Sequence, residues 1–348
     1  MGLFLLIDMD YFFAACEELR HHEYKDKALV VGTSSSENKE KGVVQTCNYI
    51  ARQYGIHSAM SISDALKLNP NLTYLASDEA YYEQISHKLE HLIRSRNLRM
   101  EVMSIDEIAI ETNNDNYAEA LALAESIKEE INSNLGLPCT IGVSSAIVYA
   151  KMVCDAYKPN KIGVVRREDL VNFIKDKEVK AIIGVGDKTT KRLSEMGIET
   201  IGQLAKSNPA NLIAKFGKFG GELSLISRGE MVDRIHPDQK KISISRERTI
   251  DQSLGIDGIE MVMKRLTEEV IAEVKENNMS FGSVSAKVKY IDFSYSMRTK
   301  KLSVPTDSLD VAYRYSIELL KALIKDNKVR KVGVRVSELK ENSNQMRL

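Results

Sequence analysis

Two short apolar strands that end in carboxylates constrain this chain more than any other feature. The first runs Leu3-Phe4-Leu5-Leu6-Ile7 into Asp8. The second lies in Met103-Ser104-Ile105-Asp106-Glu107-Ile108-Ala109-Ile110, with two acids side by side. An acid at the end of a buried strand is costly unless something neutralises it. A pair of acids, with a third about 100 residues earlier, is a usual ligand set for two hard divalent cations, which take oxygen ligands. Two such ions clamp the attacking and leaving oxygens of a phosphoryl transfer. A single acid of this kind would more often cap a helix or pair with a lysine.

At 348 residues the chain is expected to form two or more domains. It is 43% hydrophobic and 28% charged, enough apolar material for real cores. No apolar run reaches the roughly 18 residues of a membrane helix. The start, Met1-Gly2-Leu3-Phe4, has no basic leader, so no signal peptide is expected. Leu6 stands where myristoylation needs Ser or Thr, so Gly2 is not read as a lipidation site. Cys16, Cys47, Cys139 and Cys154 share no close spacing. Zinc and redox motifs are therefore not expected, and reduced thiols in a cytoplasmic protein are.

Net charge is zero but unevenly spread. Residues 1–163 carry 15 Lys/Arg against 23 Asp/Glu, and residues 240–348 carry 21 against 15. An acidic front fits a metal site, and a basic rear fits a phosphate backbone.

The front half reads as strands Leu3–Ile7, Arg99–Ser104, Glu107–Glu111 and Cys139–Ser144 alternating with helices. A long helix spans Asn116–Leu135, with Ala118, Leu121, Ala124, Ile127, Ile131 and Leu135 at helical spacing. This pattern predicts a ferredoxin-like α/β layer. Residues 167–233 read as short helices. Within them Ile183-Gly184-Val185-Gly186-Asp187 before an amphipathic stretch is similar to a helix-hairpin-helix turn, in which glycines admit a phosphate to backbone N–H groups. Residues 234–243, with Arg234, His236, Pro237, Lys240 and Lys241, read as a basic linker. The last region reads strand (Ile242–Thr249), helix (Ile256–Glu276), strand (Gly282–Phe293), strand (Ser296–Val304), helix (Leu309–Lys325), strand (Val329–Glu338). That β-α-β-β-α-β order is again ferredoxin-like.

Ile7-Asp8-Met9-Asp10-Tyr11-Phe12-Phe13-Ala14 and Ser104-Ile105-Asp106-Glu107 resemble the catalytic motifs of Y-family translesion DNA polymerases, the DNA polymerase IV group. Thr46-Cys47-Asn48-Tyr49-Ile50-Ala51-Arg52 resembles the family's nucleotide-gripping helix. Thr140-Ile141-Gly142-Val143-Ser144, Ala150-Lys151-Met152 and Lys158-Pro159-Asn160 follow in the family's order and spacing. The resemblance implies an α+β right-hand polymerase. Its ferredoxin-like palm would be residues 1–10 and 77–166, and its small fingers 11–76. A helical thumb with the helix-hairpin-helix would be 167–233. A linker (234–243), a ferredoxin-like little finger (244–341) and a tail (342–348) would complete it.

The implied reaction is low-fidelity, template-directed transfer of a dNMP to a primer 3′-OH, without proofreading. Asp8 and Asp106 would bridge two Mg²⁺ ions, Glu107 would complete one of them, and the Met9 carbonyl would be a further ligand; Mn²⁺ could substitute. Asp10 precedes a helical stretch and is expected to be its N-cap, outside the ligand set. Tyr11, Phe12 and Phe13 would flank the nucleotide, with Phe13 as the steric gate beneath the sugar. Thr46, Tyr49 and Arg52, at i, i+3 and i+6, are expected on one helix face, gripping the triphosphate together with Lys158. Ser58 and Ala59 would roof the nascent pair. Gln45 and Met60-Ser61 depart from the family pattern there and leave lesion preference open. Ser104 would approach the primer end.

For DNA, the resemblance implies Gly184, Gly186 and Lys188 in the thumb and Arg246, Arg248, Lys287, Lys289, Arg298, Lys300, Lys331 and Arg335 in the little finger. Partners would be primer-template DNA and dNTP, with the protein monomeric and away from membranes. The tail Asn342-Ser343-Asn344-Gln345-Met346-Arg347-Leu348 faintly resembles a sliding-clamp peptide but lacks its aromatics, so a bare tail is expected. The alternatives are a non-catalytic DNA-binding scaffold on the same fold, which predicts broken carboxylates, and a nucleotidyl cyclase. The cyclase would not need the helix-hairpin-helix or the basic last domain.

Overall fold

The structure is a computed structural model that describes residues 2–33, 42–236, 241–251, 254–324 and 328–342. Its chain divides into two units, Met1–Asp238 and Gln239–Leu348.

In the first unit β1 (Phe4–Met9) is buried along its whole length and runs into α1 (Phe12–Arg20). A small sheet region follows: β2 (Leu29–Gly32), β3 (Val44–Cys47), α2 (Tyr49–Gln53), α3 (Ile62–Leu68) and β4 (Thr73–Ala76). Then come α4 (Glu79–Arg94), β5 (Arg99–Val102), β6 (Glu107–Glu111), α5 (Tyr117–Leu135), β7 (Cys139–Ser144), α6 (Ile147–Tyr157) and β8 (Ile162–Val164). The main sheet has the order β5-β6-β1-β7-β8, with β1 antiparallel to both β6 and β7. It is the expected ferredoxin-like layer with β8 added alongside β7.

Alternation along β1 explains why its apolar run is continuous. Leu5, Ile7 and Met9 join a core with Phe12, Tyr82, Ile127 and Ile131 on one side of the sheet. Phe4 and Leu6 pack on the other side with Ala150 and Cys154 of α6. Successive strand residues face opposite sides, so Asp8 falls on the α6 side. α6 lies very close: a Cβ at Gly142 would come within 2.0 Å of the Ala150 carbonyl oxygen.

The expected strand Arg99–Ser104 stops at Val102, and α5 starts one residue late because Asn116 is its cap, accepting from the Ala118 N–H at 3.0 Å. The second small sheet has the order β3-β2-β4. Its β2–β3 pairing jumps from Val31↔Thr46 to Gly32↔Val44, so Gln45 is bulged out of the register.

The helices read in residues 167–233 are α7 (Arg167–Ile174), α8 (Asp187–Ser194), α9 (Ile201–Lys206), α10 (Pro209–Phe216) and α11 (Lys218–Ser227). They bury Leu170, Leu193, Leu204, Leu212 and Leu223 in a core shared with Tyr149 and Met152 of α6.

The second unit comprises β9 (Ser243–Thr249), α12 (Ile256–Glu276), β10 (Met279–Tyr290), β11 (Tyr295–Thr306), α13 (Leu309–Leu323) and β12 (Val329–Ser337). The element order is the one read from the sequence, with a short further strand, β13 (Lys340–Glu341), paired to the start of β10. Its antiparallel sheet has the order β11-β10-β12-β9, so β10 and β12 are central here. Val284, Ala286, Val288, Val332 and Val334 cover one core with Met263, Leu266 and Leu320 from the helices. β10 starts and ends about three residues before the sequence reading, because the chain turns at Ile291–Ser294. Of the linker, residues 237–240 lie outside the described residues, as do Ser343–Leu348 of the tail.

Candidate active site

The three acids that opened the sequence meet at one end of the main sheet. Asp8 on β1 sits directly across from Glu107 on β6, and the Met9 N–H donates to the Asp106 carbonyl at 2.9 Å. Asp8 is only 3% exposed. Its neutralisation comes from lysines. Lys151 on α6 places its Nζ 2.6 Å from Asp8 Oδ2, 2.7 Å from Glu107 Oε1 and 2.9 Å from Asp155 Oδ1. Lys158, just past α6, reaches Asp8 Oδ1 at 2.7 Å.

Burial alone would push the Asp8 carboxyl up, yet Lys151 and Lys158 outweigh it and hold Asp8 below the usual carboxylate range. For Glu107 burial wins, helped by the Asp8 charge, and its carboxyl stays raised despite Lys151. Lys151 is itself burdened by burial, but Asp8, Glu107 and Asp155 hold its pKa above the ordinary lysine value. Asp106 accepts from the Ser104 hydroxyl at 2.5 Å.

The acids open onto a cleft of about 270 Å³. Asp8, Met9, Tyr11, Phe12, Phe13, Thr46, Arg52, Ser58, Asp106, Glu107 and Lys158 all line it, as do Gln45 and Lys151. Tyr49 and Ala59 do not. Tyr49 stands behind the lining, edge-on to Tyr11 with centroids 5.4 Å apart, and Arg52 lies 4.7 Å over its ring. The Tyr49 hydroxyl is buried with no hydrogen-bond partner among the described residues. Ala59 turns the chain at φ 70° and donates its N–H to the Val44 carbonyl at 2.8 Å.

Two sequence expectations need correction here. Thr46, Tyr49 and Arg52 do not share a helix face: Thr46 lies on β3, and only Tyr49 and Arg52 lie on α2. Asn48 starts the helix between them, its side chain accepting from the Ala51 N–H at 3.0 Å. Thr46 and Arg52 still reach the same cleft, one from a strand and one from a helix. Asp10 is not the N-cap of α1. Tyr11 occupies that position in a left-handed conformation, φ 39° and ψ 44°, with no side-chain cap. That turn sends Asp10 the other way. Its carboxylate accepts from the Thr140 hydroxyl at 3.0 Å and from the Asn160 N–H at 2.7 Å. It is wholly buried, and burial raises its pKa.

Phe13 stacks nearly parallel on Tyr82, centroids 4.4 Å apart and planes 13° off. The Tyr82 hydroxyl donates to Glu17 at 2.6 Å, and Arg20 pairs with Glu17 and Asp78 at 2.8 Å each. The cleft floor is thus a braced aromatic shelf.

Sequence reasoning left Lys151 and Tyr82 out of the site. Lys151 was detectable as the one basic residue within the apolar stretch Ile147–Tyr157. Tyr82 carried no signal beyond helical spacing.

Gly184 has φ +87°, which favours glycine, and Gly186 is the residue before α8, on which Lys188 is exposed. The basic residues of the second unit do not make one patch. Arg246 pairs across the sheet with buried Val334 and Arg248 with Val332, so both lie on the helix side. There they bind Glu273 at 2.6 Å and Glu269 at 3.0 Å of α12. Arg298 and Lys300, opposite Ala286 and Val284, share that side. Lys287, Lys289, Lys331 and Arg335 stand on the open face, with Glu247 held 2.7 Å from Lys287.

Comparison with known proteins places this architecture. Residues 7–155 match the impB/mucB/samB family, residues 241–348 its C-terminal domain, and residues 180–230 the DNA polymerase-iota thumb domain. The chain is 33% identical to DNA polymerase IV 1 of Methanosarcina mazei, over 99% of this chain and 98% of that protein. It is 32% identical to DNA polymerase IV of Streptococcus mutans, over 97% and 92%. Among solved structures it is similar to a Y-family DNA polymerase chimera of Dbh and Dpo4, with TM-score 0.89 and 28% identity. That match covers 98% of this chain and 100% of that one. An insertion ternary complex of Dbh DNA polymerase gives TM-score 0.70 at 28% identity and the same coverage. Fold and site together define a nucleotidyltransferase of the right-hand polymerase class. The chain belongs to the impB/mucB/samB family, the Y-family DNA polymerases, among relatives named DNA polymerase IV.

This family depends on metal. The residues present fit one. Asp8, Glu107, Asp106 and the Met9 carbonyl offer only oxygen, the donors hard cations take. The deeply buried Asp8 carboxylate already demands a positive partner, which two ammonium groups supply here.

Proposed function

We propose that this DNA polymerase carries out two-metal nucleotidyl transfer at the Asp8–Asp106–Glu107 end of its main sheet. The observation that carries the reading is the convergence of these acids, across β1 and β6, on a cleft that also holds Phe13, Thr46, Arg52 and Lys158. Asp8, Asp106, Glu107 and the Met9 carbonyl would hold two Mg²⁺ ions, with Mn²⁺ able to substitute. When bound, they supply a lowered pKa at the primer 3′-OH and charge compensation at the departing pyrophosphate.

The chain's own side chains do the rest. Thr46 and Arg52, with Lys158, bind the β and γ phosphates, Arg52 through its planar donors. Lys151 and Lys158 keep Asp8 ionised before substrates arrive. Lys158 then swings from Asp8 to the triphosphate. Phe13 is the steric gate, held flat by Tyr82, and leaves no room for a 2′-OH. Tyr11 and Phe12 border the sugar. Ser58, with Ala59 behind it, keeps the roof small enough for damaged bases. Ser104 orients Asp106 and faces the primer end. Tyr49 braces Arg52 and Tyr11 from behind the cleft.

We assign residues 1–10 and 77–166 to the palm, 11–76 to the fingers, 167–233 to the thumb, 234–243 to the linker and 244–341 to the little finger. Primer-template DNA and dNTP are the substrates. The Gly184–Gly186 turn with Lys188 would hold the DNA backbone, as would Lys287, Lys289, Lys331 and Arg335 on the open face of the second sheet. Such contacts give affinity without sequence readout, which suits synthesis past lesions. The protein would act as a monomer in the cytoplasm, distributively and without proofreading, with a bare tail rather than a clamp peptide. No helix among the described residues is long and apolar enough to cross a membrane. All four cysteines are buried and unpaired, which supports a reducing compartment.

Primer extension with Asp106→Ala and Glu107→Ala beside the parent tests this reading. Extension lost in both variants while primer-template binding persists supports it. Extension unchanged in either would remove that acid from the reaction.

A further inference from the structure

Gln45 is the one cleft residue whose position and chemistry the reaction above leaves unused. Consecutive strand residues face opposite sides, yet Gln45 and Thr46 both line the cleft. The bulge accounts for this. Thr46 pairs with Val31 and Val44 with Gly32, so Gln45 is the extra residue, turned to the side its neighbour already faces. Bulges beside active sites commonly re-aim a side chain in this way. The side chain so aimed is polar. Its Oε1 is buried, and no hydrogen-bond donor among the described residues reaches it. A buried amide oxygen without a donor is costly, and the cleft is where a donor can enter. Ser58 lines the same cleft. It precedes Ala59, whose N–H is bonded to the Val44 carbonyl at 2.8 Å. Gln45 and Ser58 therefore line the same cleft, and in the reading above Ser58 roofs the base.

We propose that the Gln45 amide oxygen accepts an N–H from the exocyclic amino group of the incoming base, making Gln45 a nucleotide-selecting residue. This rests on the polymerase reading of the same cleft. Adenine, cytosine and guanine each carry such an amino group with one hydrogen left over after pairing. Thymine carries none. Gln45 would then favour an amino-bearing dNTP over dTTP, a bias that a small apolar residue at this position could not produce.

The test is single-nucleotide insertion of each correct dNTP opposite its template base, comparing the parent with Gln45→Met. Methionine keeps the length of the side chain but accepts hydrogen bonds only weakly. Ratios of kcat/KM between nucleotides within one preparation do not depend on how much of it is folded. The expected result is that at least one of dATP, dCTP and dGTP loses about tenfold in kcat/KM relative to dTTP, carried by KM, the scale of one lost hydrogen bond at a buried site. Four nucleotides that change equally, by any factor, or a fall confined to dTTP, would overturn the proposal. A parent that inserts no nucleotide would instead overturn the polymerase reading on which it rests.

Discussion

Two of the chain's three described sheets have the ferredoxin-like order of elements, and they are charged in opposite ways. In the first unit β1 and β6 are central and carry acids at their ends, where Asp8 is buried and Glu107 half-buried and lysines from outside the sheet neutralise them. In the second unit β10 and β12 are central and carry lysines along their middle, on an open face where Glu247 pairs with Lys287 and Lys331. A strand end beside a covering helix makes a small, partly dry pocket, in which a few charges interact strongly and demand a counter-ion. A flat exposed face spreads charge over a long surface screened by solvent. The one arrangement suits chemistry at a point and the other suits holding a polyanion.

The sharpest way to break this contrast is at the packing that makes the first pocket. Gly142→Ala would drive a Cβ against the Ala150 carbonyl and lift α6 from β7. We expect it to destabilise the first unit by about 3 kcal/mol or more, seen as a lower denaturant midpoint. The second unit should unfold as before. An unchanged midpoint would mean that α6 is not seated as tightly as described.

Next in size is the shelf. Phe13→Ala should raise ribonucleotide use by about a hundredfold, the factor that about 2–3 kcal/mol of relieved overlap allows. Tyr82→Ala should reproduce part of that effect by freeing the ring of Phe13. Discrimination as strong as the parent's in Phe13→Ala would remove the gate from this residue.

The two sides of the second sheet should then separate. Lys287→Ala and Lys289→Ala should each weaken primer-template binding and flatten its fall with salt by about one unit of slope. Arg246→Ala should move DNA affinity little, since it lies on the helix side of the sheet, paired with Glu273 of α12. Equal losses on both sides, titrated by fluorescence anisotropy, would contradict the assignment of the grip to the open face.

The smallest effect concerns acid. Burial would raise the Glu273 carboxyl, but Lys241 and Arg246 hold it below its ordinary value. A depressed native pKa stabilises the fold above the unfolded value, roughly pH 4.3, and that contribution fades as pH falls through the native one. Glu273→Gln should therefore cost some stability at neutral pH and make the acid limb of the stability curve shallower. A limb as steep as the parent's would show that this glutamate does not drive it.

Much of this was legible in the residues themselves. The acids Asp8 and Glu107 could be placed because buried strands tolerate few charges, and β1 and β6 announce themselves as apolar runs. The order of elements in both units followed from periodicity and turn residues. Three features did not show. Thr46 was read into a helix because the spacing to Tyr49 and Arg52 suits one, whereas the Asn48 side chain starts that helix two residues later. Asp10 looked like a cap by its position, but the left-handed Tyr11 turns it toward Thr140 and Asn160, a contact set by residues some 130 and 150 positions away. The basic residues of β9 and β10 alternate alike, and alternation alone does not say which side the helices cover. On an edge strand such as β9, long arginine stems can lie on the helix side while their heads stay wet. Gln45 was noticed as unusual, but only the β2–β3 register reveals why it points into the cleft.

We propose that the acids at the β1–β6 strand ends perform the chemistry and the open basic face performs the holding. Primer extension and primer-template binding measured together on Glu107→Ala separate the two roles. Extension should fall by a factor of about a thousand or more, with binding within about twofold of the parent. Extension that survives, or binding that collapses along with it, would contradict the separation of chemistry from grip.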